Sequence, residues 1–209
     1  MANTLLFRRI FKEVKMILND KGIRMLAEDE GMIEPFVGKQ VREVLLGNRS
    51  EKVVSYGLSS FGYDIRIGTK FKVFSNAQGY PIIDPKNFDQ SALVEVEVGP
   101  HEAVIIPPNS YVLGLSMEYF RIPEDVVTIC VGKSSYARCG ISVNITPFEP
   151  SWKGYAVLEV SNMTPLPAKI YAAEGIAQVL FFRGNVPEIT YADRKGRYQD
   201  QREIVTAKV

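Results

Sequence analysis

Three stretches of this chain hold residue types able to do chemistry. The first is GKSSYARCG at 132–140, which follows an apolar run and reads as one helical turn. Lys133, Ser134, Ser135 and the free N–H groups of a helix start make a site for an anion such as a phosphate. Arg138 falls four residues after Ser134, on the same helical face. A surface turn with solvated charges has the same composition. The second is Glu159 in YAVLEV at 155–160. Strand alternation puts Tyr155, Val157 and Glu159 on one face and Ala156, Leu158 and Val160 on the other. Burial raises a carboxylate's pKa and suits it to general acid–base work, whereas on a solvated face Glu159 is an ordinary surface charge. The third is the tail, YADRKGRYQDQ at 191–201. Its cations, tyrosines and glutamines suit a lid that closes over a phosphate-bearing ligand, and equally an unstructured terminus.

These groups need a frame. Asn19 or Asp20 can cap a helix through Ile23, Met25, Leu26 and Ala27 that ends near Gly31. A second short helix is expected over 38–46, with Gly47-Asn48 as its stop. Beyond it, short apolar runs alternate with Gly, Pro, Asn and Ser clusters at a spacing of roughly eight to twelve residues, which argues for an all-β sandwich or barrel. The expected strands are 63–67, 71–74, 93–98, 103–106, 111–116, 126–131, 142–145, 155–161, 168–171 and 178–182. Prolines such as Pro107, Pro108, Pro123, Pro147, Pro150 and Pro165 fall between them, as strand interiors require. The tail from Tyr191 to Val209 is polar and carries no core signal. The expected organisation is a leader over 1–15, one β domain over 16–190 and a lid or tail over 191–209.

Apolar residues are 46% of the 209 and charged residues 23%, a globular composition. With 25 Lys and Arg against 24 Asp and Glu, the net charge is +1. No global field favours a nucleic-acid polymer, so any anion must be met by a local cluster. Cys130, Cys139 and His101 are too few and too scattered for a structural zinc site. Two cysteines make no disulfide framework, and reduced thiols in a cytoplasmic protein are expected. No apolar run approaches the roughly 20 residues that span a bilayer. MANTLLFRRIFKEVK at 1–15 is basic and amphipathic but lacks an unbroken apolar core and a small-residue cleavage site. An accessory or mis-assigned leader, with Met16 as an alternative start, is favoured over targeting.

Taken together, these segments resemble the dCTP deaminases of the trimeric dUTPase-like superfamily. The resemblance runs from about Met16 to Gln201. It is carried by MIEPF at 32–36, YGLSSFGYDIRIGTKFKVF at 56–74, IDPKNFD at 83–89, EYFRIP at 118–123, GKSSYARCGISVNITPFEPSWKGY at 132–155, LEVSNMTPLPAKIYAAEGIAQVLFF at 158–182 and the tail motif at 191–201. It implies a mainly β fold, a distorted β-barrel or jelly-roll of the dUTPase-like type with short N-terminal helices. It implies a homotrimer with sites between subunits, binding dCTP with Mg²⁺ on the triphosphate and activating water without a metal. By the same resemblance Glu159 is the catalytic base, with Ser134 and Arg138 as its catalytic partners. Lys133 and Ser135 fall where the family contacts the triphosphate, and Tyr136, Ala137, Val157 and Leu158 are further expected substrate-binding positions. Gln178, Tyr191, Arg197 and Gln201 grip the nucleotide. Ser134 and a backbone carbonyl near Pro147 hold the water, and Arg138 orients Glu159. dTTP is an expected feedback ligand. The H-x-E and P-C-x-x-C pattern of zinc deaminases is absent from the chain.

The chain departs from the family's pattern in places. Asn144 stands where some branches carry His, and reads as a scaffold residue. Asp200 precedes Gln201 where relatives read Gly, and a carboxylate beside a polyphosphate is unfavourable unless it points outward. Arg202-Glu203 then follows, where relatives tend to continue with Gly. The nearest rival is a bifunctional enzyme that carries dCTP on to dUMP and pyrophosphate, with Glu149 and Asp64 as candidate carboxylates for the second water. A catalytically silent nucleotide-binding regulator on the same scaffold, or an enzyme for a modified cytosine nucleotide, are the others. A simple dUTPase would need a glycine-rich C-terminal motif with a stacking Phe.

Overall fold

The computed structural model describes residues 16–75 and 82–208; the expected leader lies outside them. Helix α1 (Asp20–Asp29) begins where its cap predicts, with Asn19 Oδ1 accepting a hydrogen bond from the Gly22 N–H. Its buried stripe is Ile23, Leu26 and Ala27. It is followed by β1 (Ile33–Glu34), β2 (Val41–Leu46), β3 (Arg49–Leu58) and β4 (Tyr63–Phe74). Next come a short 3-10 turn (Gln90–Ala92), β5 (Leu93–Glu97), β6 (Ala103–Ile106), β7 (Tyr111–Arg121) and β8 (Val126–Gly132). The one-turn helix α2 (Ser134–Ala137) precedes β9 (Ile141–Asn144), β10 (Lys153–Asn162), β11 (Ala168–Tyr171) and β12 (Gly175–Arg183).

The ladders are antiparallel and wrap a bent sheet around one core. Its main path runs β2-β3-β4-β7-β10-β9, with β12 joining β4 to β8 and with β5 on β4. β6 and β11 form a separate pair. β4 is the hinge of this arrangement. It was expected as two strands, 63–67 and 71–74, and is one strand whose ladder with β7 slips between Ile67 and Phe71. That irregularity bends it, so its first half pairs with β3 and β12 and its second with β5. Tyr63, Ile65, Ile67 and Phe71 on β4 meet Phe120, Leu158, Val160, Val179 and Phe181 in the core.

Two further expectations are corrected. The second helix, over 38–46, is instead strand β2, paired to β3 across Gly47-Asn48. Gly47, at φ +61, is a hairpin turn residue, not a helix stop, and β-branched Val41 and Val44 suit a strand. The tail does have a core contact. Ile204 and Gln201 are buried, and Tyr191 packs against the core cluster.

The buried Arg66–Glu118 pair ties β4 to β7. Arg66 donates to Glu118 from both its backbone N–H and Nε, at 2.9 and 2.7 Å. Burial pushes the Glu118 carboxyl up, while Arg66 pulls it back down.

Candidate active site

Glu159 projects from the middle of β10, opposite Leu113 of β7 on one side and Asn144 of β9 on the other. Ala156, Leu158 and Val160 are buried while Tyr155, Val157 and Glu159 are half-buried on the other face, as alternation requires. That face opens into a cavity of about 790 Å³, within the range that holds a small-molecule ligand. Tyr111, Ile145, Pro147, Phe148 and Trp152 form much of its wall, with Phe148 stacked on Trp152 at 4.7 Å. Desolvation by these groups pushes the Glu159 carboxyl from its usual 4.5 to about 7, only partly offset by its own backbone N–H. Its Oε2 is buried and finds no hydrogen-bond partner among the described residues. Such a carboxyl can exchange a proton near neutral pH with whatever enters the cavity.

The tail closes one side of this cavity through Tyr191, Tyr198, Gln201 and the segment 205–207. Gln201 is zipped to β10. Its carbonyl accepts from the Tyr155 N–H at 2.9 Å, and its Nε2 donates to the Tyr155 carbonyl at 2.9 Å. Trp152 Nε1 donates to the Tyr198 carbonyl at 2.8 Å. Gly154, at φ +150, makes this approach possible, because a Cβ there would lie 2.9 Å from the Gln201 nitrogen. Of the expected gripping residues, Tyr191 and Gln201 therefore reach the Glu159 cavity. Arg197 instead donates to the Lys208 carbonyl at 3.2 Å.

The anion turn folds as expected, as α2 directly after β8, but does not line that cavity. Ser134, Ser135, Ala137 and Arg138 are exposed. Ser135 borders a different hollow, with His101 and Glu174. Tyr136 is buried, its hydroxyl accepting from the Tyr171 N–H at 3.2 Å, so it anchors the turn. Leu158 is fully buried in the core, while Val157 lines the cavity. Lys133 Nζ sits 2.5 Å from Asp64 Oδ2, which also accepts from Gln40 Nε2 at 2.8 Å. Gln178, opposite Asp64 and Val131 across the ladders, donates to Ser59 Oγ at 3.0 Å. Within one chain, the expected anion turn with Gln178 and the Glu159 cavity are thus two separate regions. Sequence reasoning missed the role of Asp64 as partner of Lys133. The aromatic lining by Tyr111, Trp152 and Tyr198 was also missed; in the sequence these are single residues far apart.

β8 and β12 carry an outward apolar stripe beside the anion turn. Val127, Ile129 and Val131 are exposed, and they stand opposite Phe182, Leu180 and Gln178.

The pattern of the dCTP deaminase-like family matches residues 17–184. The chain belongs to that family. A dCTP deaminase of Acidobacterium capsulatum is 59% identical over 194 residues, covering 92% of this chain and 99% of the relative. That of Protochlamydia amoebophila is 58% identical over 186 residues, covering 88% and 95%. The crystal structure of the 2'-deoxycytidine 5'-triphosphate deaminase of Agrobacterium tumefaciens superposes with a TM-score of 0.56 at 17% identity, over 82% of this chain and 49% of that one. This likeness establishes the fold.

Proposed function

We propose that this chain hydrolyses dCTP to dUTP and ammonia. The observation that carries the reading is Glu159, a half-buried carboxyl pushed to about 7 with an unpartnered oxygen, facing an aromatic cavity. Ionised Glu159 takes a proton from a water beside Pro147, and the resulting hydroxide oxygen bonds to C4 of cytosine. The C4–N3 π electrons move to N3, which receives the proton from Glu159. Glu159 then moves the new hydroxyl's proton to the exocyclic amine. The C4–N bond breaks, ammonia leaves, and the C4 carbonyl of uracil remains. A single carboxyl shuttles both protons and is regenerated, which is why its pKa must lie near neutrality.

A second copy of the chain completes the site. The turn carrying Ser134 and Arg138 is exposed and outside the Glu159 cavity, and beside it lies the apolar stripe of Val127, Ile129 and Val131. An exposed stripe of this kind is a docking surface, and closed symmetry brings one copy's turn to its neighbour's cavity. A homotrimer satisfies this with a site at each interface. There Ser134 would hold the water and Arg138 would orient Glu159. Lys133 and Ser135, with Gln178, would flank the triphosphate. Among the described residues no three His, Cys, Asp or Glu side chains gather as metal ligands. Mg²⁺ fits as a partner of the triphosphate, where it would neutralise phosphate charge.

Of the two carboxylates that a second hydrolysis at the α-phosphate could use, Asp64 is engaged by Lys133 and Gln40, and Glu149 pairs with Arg194. This favours a single deamination step. The product would feed dUMP and dTTP synthesis, with dTTP as the feedback ligand. No described helix is long and apolar enough to cross a membrane. Cys130 and Cys139 are free thiols, which suit a reducing compartment, and we place the enzyme in the cytoplasm. Incubation with dCTP and Mg²⁺, followed by ion-exchange separation, tests the reading. dUTP with ammonia supports it; dUMP with pyrophosphate would indicate the coupled reaction, and intact dCTP would contradict both.

A further inference from the structure

We infer that Asp200, Tyr119 and Arg202 form a latch that holds the C-terminal tail closed on the Glu159 cavity. Asp200 in this arrangement is a positioning residue, not a group facing phosphate. The inference rests on the reading of that cavity as the nucleotide site.

The Tyr119 hydroxyl donates to Asp200 Oδ1 at 2.5 Å, and Arg202 Nη2 approaches the same oxygen at 2.9 Å. Arg202 also donates to the Tyr119 hydroxyl at 3.3 Å, with its guanidinium 4.4 Å from the centre of the Tyr119 ring. Tyr119 itself is buried on β7 and meets Tyr155 of β10 edge-on at 5.2 Å. The latch is therefore fastened to the strand pair that carries Glu159. The exposed Asp200–Arg202 ion pair is screened by water, so most of the hold comes from the buried tyrosine.

The backbone supports this. Asp200 lies at φ +55, a left-handed conformation that is strained for most side chains and tolerated by Asp and Asn. The bonds to Tyr119 and Arg202 offset that strain. With the Asp200 carboxylate engaged outside the cavity, Gln201 turns inward to Tyr155, passing the Cβ-free Gly154. Ile204 is then buried, and Val205, Thr206 and Ala207 run along the cavity wall. Of the two placements that the sequence left open for this carboxylate, it takes the outward one, outside the cavity lining.

The test uses Asp200→Ala, Tyr119→Phe and Asp200→Asn in the full chain. Amide hydrogen exchange of 196–204 is measured without nucleotide, and KM and kcat with dCTP and Mg²⁺. In Asp200→Ala and Tyr119→Phe, exchange rises about tenfold and KM rises about three- to tenfold with kcat nearly kept. Asp200→Asn keeps an acceptor for Tyr119 and tolerates the left-handed backbone, and stays close to wild type. Unchanged tail exchange in both disrupting variants would overturn the latch. A loosened tail with unchanged KM would overturn its positioning role. Loosened tails in a protein that never turns over dCTP, wild type included, would overturn the reading of the cavity and leave the latch standing.

Discussion

Lys133 and Asp64 lie 69 residues apart in the chain and meet at 2.5 Å, with side chains only 11% and 6% exposed. The contact joins the start of α2 to β4, so the anion turn is bolted to the most heavily paired strand of the sheet. In the single chain it pairs the Lys133 ammonium with a carboxylate, while Arg138 of the same turn faces solvent.

Removing one partner of this pair strands the other in a low-dielectric setting. Asp64→Ala should lose about 3–5 kcal/mol in chemical denaturation. The double change Asp64→Ala with Lys133→Met should lose clearly less than the losses of Asp64→Ala and Lys133→Met summed. Additive losses would show that the two side chains do not depend on each other.

Glu159 gives the activity and the stability opposite pH trends. Only its ionised form accepts a proton from water, so kcat/KM should fall as pH drops through the Glu159 pKa, which is about 7 in the single chain and lower once a neighbour's Arg138 lies beside it. Stability runs the other way. The folded state binds this proton more tightly than the unfolded chain, so the penalty for burying the charge is absent below about 4.5 and grows as pH rises to about 7. Glu159→Gln has no charge to bury. Its advantage over wild type should be near zero at pH 4 and reach about 1–2 kcal/mol at pH 8 after solvent screening. Melting curves at the two values, taken in the Ile129→Glu background where no neighbour's Arg138 reaches Glu159, read it directly.

Separate half-sites make a complementation test possible. Glu159→Gln and Arg138→Ala should each be inactive alone. Co-expressed in equal amounts as mixed trimers, they regenerate one intact site from every pairing of complementary copies, up to roughly a quarter of wild-type activity for random mixing. Activity in the mixture no greater than in either variant would mean that each site draws on one chain.

The apolar stripe should govern assembly. Ile129→Glu places a charge in the middle of the β8 face, where Ile129 is 48% exposed in the single chain. Sedimentation should show a folded monomer without deaminase activity. A trimer of unaltered mass would put the interface elsewhere.

Much of this organisation was legible in the residues. β6 and β11 appeared at their true bounds because prolines and polar clusters fence short apolar runs. The facing of Glu159 followed from alternation along β10. The β2–β3 hairpin was not legible, because Gly47 serves a helix end and a tight turn equally well and because the charged first half of β3 lacks an apolar period. Nor was the docking of the tail. It is made by backbone hydrogen bonds to Tyr155 and Lys153, by one isolated apolar anchor, Ile204, and by Asp200 meeting Tyr119 across 81 residues of chain. Partners so distant in sequence leave no local pattern. The separation of the α2 turn from Glu159 is likewise a matter of tertiary placement.

The role of Glu159 is tested most directly by ammonia release from dCTP by the wild-type protein and by Glu159→Gln, measured beside dCTP binding by each. The wild type should give stoichiometric ammonia and dUTP. The variant should give none, with dCTP affinity kept within about threefold because Gln preserves the shape and removes only the proton shuttle. Ammonia release by Glu159→Gln at the wild-type rate would contradict that role.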